Sequence, residues 1–329
     1  MDFIYASDEN YVRHAAASMV SLMENNRQAD EVVFHFLSMG IKSESKRILE
    51  ELCARYGRRV TVYELGDLKN WFSFEFNARG FAQSTLARLL VGRILPEKVE
   101  RALYVDCDTI VLDDLSPLFS LDMGRNYVGM VAEPTATKGR RVQLALKDEQ
   151  PYFNAGILLI NLKLWRQENA EKQVLDYYAA HDGNLLAPDQ DALNGAFAGR
   201  ILELQPRYNF GSVQIYYPWK AQKRISSPTP FMDEETYRQG TEKPAIIHYL
   251  GEERPWREGN RHRYRDKYDL YLNMTPWANY PKDKGWQAYF VCFSVFNTLV
   301  KPFPVLRWRI IDRLIPVFMK HREKKLKKR

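Results

Sequence analysis

Asp106 and Asp108 stand one residue apart inside an apolar, β-prone run, ALYVDCDTIVL, at residues 102–112. Alternate residues of a strand share a face, so the run predicts two carboxylates side by side with Cys107 turned away. Two such charges repel, and burying either one unpaired is costly. A cation between them removes both costs. The plainer alternative is a strand end where both meet water, and a second D-x-D, Asp189 and Asp191, shows that the pattern alone says little. His248 lies in another apolar run, AIIHYLG, where a histidine usually belongs to the core. With Asp106 and Asp108 it would complete a set that suits Mn²⁺ or Mg²⁺, leaving positions open to phosphate oxygens.

Gly156 in FNAGILLIN and Gly251 in HYLGEERPW are places where backbone could approach a ligand closely, or ordinary turn and strand-entry glycines. No G-x-G-x-x-G and no Walker-type loop is present. Phosphate would then be met by metal and by basic side chains, with Arg88 and Arg254 as candidates. Arg88 reads equally well as a solvated helix residue. Asp189 opens the segment DQDALNGAFAG and reads as a helix cap; Gln190 beside it is explained by simple exposure.

These residues need a frame. DFIYAS, VVFHFLSM (32–39), VTVYEL (60–65) and ALYVDCDTIVL read as four strands. Helical patterns over residues 11–25, from Ser43 onward, and from Ser84 to a stop at Pro96 alternate with them. Strand and helix in alternation predict a mostly parallel sheet covered on both faces. Ligands of such sheets sit beyond the carboxyl ends of the strands, where Asp8, Asp106 and Asp108 would converge. Further on, YVGMVAE (127–133), GILLINLKLW (156–165), RILELQ (200–205) and AIIHYLG (245–251) read as strands. Glu168 to His181 and residues 192–199 read as helices, and residues 213–240 as loop.

The chain has 329 residues, 45% of them hydrophobic and 13% aromatic, enough for one large domain or two. Three scattered cysteines, Cys53, Cys107 and Cys292, argue for a reducing compartment without a disulfide framework. The opening MDFIYASDEN has no basic stretch leading into an apolar one, so a cytoplasmic location is expected. The net charge is +7, but residues 301–329 alone supply +9, which leaves residues 1–300 at −2. A near-neutral body argues against nucleic acid as a partner. Residues 286–300 are too short to span a bilayer. Residues 305–320 put Arg309, Asp312, Arg313 and Lys320 opposite Leu306, Ile310, Ile311, Leu314 and Phe318, with Pro316 expected to kink the helix. Together with KHREKKLKKR this predicts an anchor lying on anionic lipid through residues 286–329, peripheral on the inner face of the cell membrane, and an acceptor that is lipid-linked. A capping helix with a solvated basic end is the alternative.

The ordered set ASDENYV, STLARL, LYVDCDTIVL, FNAGILLINLKLW, DQDALNG and HYLGEERPW resembles the family 8 retaining glycosyltransferases, and within them the bacterial lipopolysaccharide α-galactosyltransferases. The resemblance runs from residue 1 to about 260. It implies a GT-A fold, an α/β architecture with a Rossmann-like mixed sheet, in a catalytic domain of residues 1–265 followed by a helical, basic-amphipathic tail of residues 266–329. It implies a UDP-hexose donor and Mn²⁺ held by Asp106, Asp108 and His248, with Mg²⁺ as a substitute. Ala6, Asp8 and Asn10 would meet the uracil and ribose; Arg88, Asn154, Asp189 and Gln190 the donor sugar; Gly251 and Arg254 the phosphates; Cys107 is counted with the donor-binding residues. Two positions depart from the pattern: Arg254 stands where Lys is found, and Glu133 where Asp is found.

The expected activity is transfer of galactose or glucose from a UDP-sugar to a cell-surface glycan or lipid-linked acceptor with retention. Gln190 is an amide and a poor nucleophile, which favours attack from the face of departure, Gln190 stabilising the charged ring. Asp189 as a covalent nucleophile is the competing mechanism. Two other functions fit less well. A sugar nucleotidyltransferase needs a Gly-rich loop after the first strand, which ASDENYV lacks. A membrane-peripheral sugar-nucleotide binder without turnover would have no use for an intact metal set.

Overall fold

The computed structural model describes residues 1–79 and 82–326, with side chains through residue 317. Seven strands form the main sheet: β1 (Asp2–Ser7), β2 (Val33–Ser38), β3 (Arg59–Glu64), β4 (Arg101–Val105), β6 (Val128–Ala132), β7 (Phe153–Asn161) and β8 (Ile201–Leu204). Their order is β3-β2-β1-β4-β7-β6-β8. A separate antiparallel pair joins β5 (Thr109–Val111) to β9 (Ile246–His248).

The strand and helix alternation of the first half gives the parallel block β3-β2-β1-β4. The sheet as a whole is mixed rather than mostly parallel, because β7 runs antiparallel to both β4 and β6. The inner strands are buried on both faces, while the edge strands β3 and β8 are partly exposed, and period two decides which core each residue joins. Phe3, Tyr5, Leu103, Val105, Ile157 and Leu159 pack below the sheet. Ile4, Ala6, Ala102, Tyr104, Leu158 and Ile160 pack above it. Each fully buried large side chain is worth about 1.5–3 kcal/mol, which fixes the register.

Several sequence expectations change. Residues 102–112 are two strands in two sheets. The ladder with β7 ends where Asp106 N–H donates to Gly156 O (2.9 Å), and Thr109 Oγ1 closes back on Asp106 O (2.8 Å). Asp106 and Asp108 therefore sit in a turn, not on one strand face. The run GILLINLKLW splits at Asn161, whose side chain accepts from Leu164 N (3.2 Å) and starts the helix Leu162–Gln167. Apolarity alone does not separate a buried strand from a buried helix. The pattern ending at Pro96 is a 3₁₀ helix, Gln83–Leu90, followed by one α turn, Val91–Ile94. Residues 213–240 are not loop. They carry the helices Ser212–Tyr216, Trp219–Ser226 and Glu234–Glu242, whose Tyr, Pro and Ser content masked the helical spacing. The helix expected over 192–199 is Pro188–Ala196.

Two helices, Gln287–Val300 and Pro304–Leu326, end the described chain. The second runs on through Pro316. Phe318 and Lys320 of its expected faces lie outside the described side chains. Arg307 is buried against Tyr217, and Val305 and Trp308 pack on the cluster of Val213, Tyr217, Ala221 and Ile225. The helix then leaves the body, exposing Leu314, Ile315 and Val317. Among the described residues, no helix is long and apolar enough to cross a membrane.

Candidate active site

The carboxyl end of β4 meets the start of β7, and β9 brings His248 to the same point. Ligand atoms of Asp106, Asp108 and His248 lie within 4.8 Å of one another. His248 Nε2 is 3.2 Å from Asp108 Oδ1 and 3.7 Å from Asp106 Oδ2. His248 is no ordinary core histidine. Its ring is buried, but it faces two carboxylates. Asn209 spends its Nδ2 on Asn154 Oδ1 (2.8 Å), so its own Oδ1 accepts from His248 Nδ1 (2.8 Å). That bond turns Nε2 toward the acids, as a metal-binding imidazole requires. Two hard carboxylates and one oriented imidazole fit a divalent cation.

Gly156 is needed here for space. A Cβ at this position would come 2.1 Å from His248 Cε1 and 3.0 Å from Asp106 Oδ2. Gly251 is different: nothing crowds it, but its φ of +67° favours glycine. It turns the chain after β9.

Arg88 is not a solvated helix residue. It is 2% exposed and links the two acidic groups of the site, 2.7 Å from Asp106 Oδ1 and 3.1 Å from Asp189 Oδ2. It also donates to Ala155 O. Burial is the largest influence on its guanidinium and would lower it, but Asp106, Tyr104 and Asp189 hold it above its usual range. Burial pushes the Asp106 carboxyl up to about 6, against Arg88 and with the help of Asp108. Burial raises Asp189 likewise, Arg88 opposing. Asp189 is not the cap of its helix. Ala187 holds that place, and the Asp189 side chain faces Arg88 instead.

Gln190 is held at three points. Its Oε1 accepts from Ala155 N (3.0 Å), and its Nε2 donates to Tyr152 OH (2.9 Å) and Glu133 Oε2 (3.4 Å). Asn154 Nδ2 donates to the same Glu133 oxygen at 2.9 Å. The Tyr152 hydroxyl donates a hydrogen bond to Asp191 Oδ1 (2.7 Å), whose charge Arg140 neutralises (2.8 Å). The second D-x-D is therefore split in use, Asp189 toward Arg88 and Asp191 into a buried bracket behind Gln190. The C-terminal helix touches this rim: Trp308 Nε1 donates to Thr135 O at 2.9 Å.

Ala6 is the penultimate residue of β1 and is buried. Cys107 Sγ points back to Ala6 O (3.3 Å), and burial pushes its thiol well up. Cys107 thus offers a ligand its backbone, not its sulfur. Asp8 accepts from the backbone N–H groups of Asn10 (3.0 Å) and Tyr11 (3.2 Å), shaping the turn after β1. Arg254 Nη2 lies 3.2 Å from Asp108 Oδ2, and its Nε donates to Gly251 O (2.9 Å). Sequence reasoning missed Asn209, Tyr152 and Arg140. No spacing or motif marks them, since each acts only through a neighbour that folding supplies.

A sheet that changes from parallel to antiparallel beside β4, with an acidic turn and a histidine gathered at the junction, defines an α/β glycosyltransferase of the GT-A type. The chain is similar to galactosyltransferase LgtC in two crystal structures. One is of an active-site mutant, with a TM-score of 0.72 at 24% identity over 87% of this chain and 99% of that one. The other is of a complex with donor and acceptor sugar analogs, with a TM-score of 0.68 at 24% identity over 88% and 99%. The chain belongs to glycosyl transferase family 8, whose model matches residues 2–260, and it is a glycosyltransferase. It is 31% identical to general stress protein A of Bacillus subtilis, over 84% of this chain and 94% of that protein. It is 26% identical to a lipopolysaccharide 1,2-glucosyltransferase of Escherichia coli, over 84% and 79%.

Proposed function

We propose that the protein is a retaining α-glycosyltransferase that moves galactose or glucose from a UDP-sugar to a cell-surface glycan or lipid-linked acceptor, with Mn²⁺ as its metal. One observation carries the reading: the Asp106, Asp108 and His248 cluster opens beside the clamped amide of Gln190, with Gly156 clearing the space between β7 and the histidine. Asp106, Asp108 and His248 would hold Mn²⁺. When bound, the ion supplies neutralisation of the charge that gathers on the departing diphosphate. Arg254 adds a second positive charge on the Asp108 side, and Asp8 and Asn10 lie at the end of β1 where the nucleoside would rest.

Breaking the anomeric bond leaves positive charge on the sugar ring. Gln190 has its Oε1 and Nε2 already committed, so it offers a fixed dipole that needs no reorganisation. Asp189 is paired with Arg88, which reduces its power as a nucleophile. Both features favour attack from the face of departure. Relatives named for lipopolysaccharide glucosyl and galactosyl transfer support a glycan acceptor anchored in a membrane. Exposed Val291, Val295, Leu299, Phe303, Leu314 and Ile315, followed by the basic end of the chain, support peripheral binding to anionic lipid on the inner face of the cell membrane. A panel of UDP-sugars with Mn²⁺, scored for UDP release, tests the reading. Release from UDP-galactose or UDP-glucose, abolished by EDTA, is expected; no release from any donor overturns it.

A further inference from the structure

A cavity of about 300 Å³ lies between the helix Gln287–Val300 and the loop that follows β9. None of the metal-cluster residues lines it. Glu253 lines the cavity, while the next residue, Arg254, faces Asp108.

The cavity is cationic. Arg261, Lys301 and Arg307 line it against the single carboxylate of Glu253. Arg307 is built in rather than draped over the surface: it is 6% exposed, donates from Nε to Asn297 Oδ1 (2.9 Å) and lies 3.9 Å over the Tyr216 ring. Glu253 accepts from Tyr216 OH at 2.5 Å, so its charge is already engaged. Arg261, bonded to Ser294 Oγ at 3.2 Å, and Lys301 stay exposed at the mouth.

The same helix carries an apolar stripe on its outer side. Val291, Val295 and Leu299 follow one another at helical i, i+4 spacing, 48%, 54% and 70% exposed, and Phe303 extends the line. An anion that fills the cavity and continues into an apolar chain would satisfy both surfaces. Phosphate matches the guanidinium of Arg261 and the ammonium of Lys301 at the mouth, while Arg307, held through Nε by Asn297 and through Nη1 by Tyr217, supplies fixed positive charge behind them. The loop that lines the cavity through Glu253 also carries Arg254, which faces Asp108, so one segment serves both places.

We infer that this cavity binds the phosphate or diphosphate group of a lipid-linked acceptor, with the lipid chain lying along Val291, Val295 and Leu299. The inference rests on the reading of the protein as a glycosyltransferase with a lipid-linked acceptor. It names what holds that acceptor.

Calorimetric titration of the full chain in EDTA, which keeps the donor site from taking diphosphate through a metal, tests it with three probes: farnesyl diphosphate, inorganic diphosphate and farnesol. Farnesyl diphosphate should bind on the order of tenfold more tightly than either fragment. The double variant R261E and K301E should lose on the order of tenfold for farnesyl diphosphate while melting at the same temperature as the parent. Lys301→Gln alone should lose less, and it serves if the double variant melts early. Equal binding of inorganic diphosphate would mean a free-anion site and overturn the inference. Equal binding of farnesol would mean an apolar groove only and overturn it too. So would variants that bind farnesyl diphosphate as the parent does. Failure of UDP release across the donor panel is a separate result, which overturns the UDP-sugar reading and leaves these titrations standing.

Discussion

His248 donates from Nδ1 to Asn209 Oδ1 at 2.8 Å, and this one bond presents the other ring nitrogen to Asp106 and Asp108. Asn209 is itself fixed by Asn154, which also bonds Glu133 beside Gln190. Asn209→Ala removes the orienting acceptor and touches no metal ligand. Mn²⁺ affinity should fall roughly ten- to a hundredfold, the usual effect of losing such a support. Mn²⁺ titration followed by electron paramagnetic resonance measures it; unchanged affinity would show that β9 packing alone orients the ring.

Asp106→Asn and Asp108→Asn keep side-chain volume and remove ligand charge. Each should bring UDP release close to background, and each protein should still melt cooperatively. The two should differ in stability. Asp106→Asn leaves buried Arg88 with less compensation, and removing one partner of a buried pair costs about 3–5 kcal/mol. Asp108→Asn releases Arg254, which is partly exposed, and should cost less. Thermal melts of both variants, beside their rates in EDTA with and without added Mn²⁺, check the ordering.

Gln190→Ala should lower the rate by roughly ten- to a thousandfold, the scale of losing one preorganised electrostatic contact. Gln190→Glu adds a carboxylate next to Glu133 and should be slow as well. A glycosyl adduct on Asp189 seen by mass spectrometry after rapid quench would instead establish double displacement.

The C-terminal helix should divide at its exposed turn. A chain ending at residue 317 keeps Arg307 on Tyr217 and Trp308 on Thr135 O, so UDP-sugar hydrolysis should persist. It loses seven of the basic residues, Lys320 among them, each worth about 1 kcal/mol at an anionic surface. Sedimentation with vesicles containing phosphatidylserine should show that loss, and salt should weaken what the full chain retains. A chain ending near residue 280 uncovers Tyr217 and Ile225 and should melt earlier. Equal pelleting of the parent and the shorter chains would remove the anchor.

Two buried histidines set an acid limit on stability. Burial lowers His262 to about 4, and His14, stacked on Trp256 with Nδ1 2.5 Å from Tyr268 OH, well below its usual value. Unfolded, both would take a proton near pH 6.5. The unfolded chain therefore binds more protons than the native one below that value, and stability falls as pH falls. For His262 the loss should approach about 1.4 kcal/mol per pH unit between about 6.5 and 4, and His14 adds to it in the same direction. Urea unfolding at about pH 7.5 and about pH 5 measures it, and His262→Asn should flatten the slope.

The sequence by itself determined the strand and helix alternation through β4, because period two and period 3.6 are local properties of the chain. It marked Asp106, Asp108 and His248 as a set, since two carboxylates in an apolar run demand compensation wherever they end up. It also placed the basic charge in the tail. Tertiary structure decided the rest. The ALYVDCDTIVL run breaks because β5 finds a partner in β9, whose start lies 137 residues after its own, and no local signal carries that pairing. β7 runs against β4 because the chain enters the sheet from the other end, so Gly156 faces His248 only after both arrive. Arg88 became a buried link between Asp106 and Asp189 because helix and sheet close over it, where its own sequence neighbourhood reads as an ordinary amphipathic helix. Charge, periodicity and composition are written along the chain; the distance between residues 106 and 248 is set only by what packs between them.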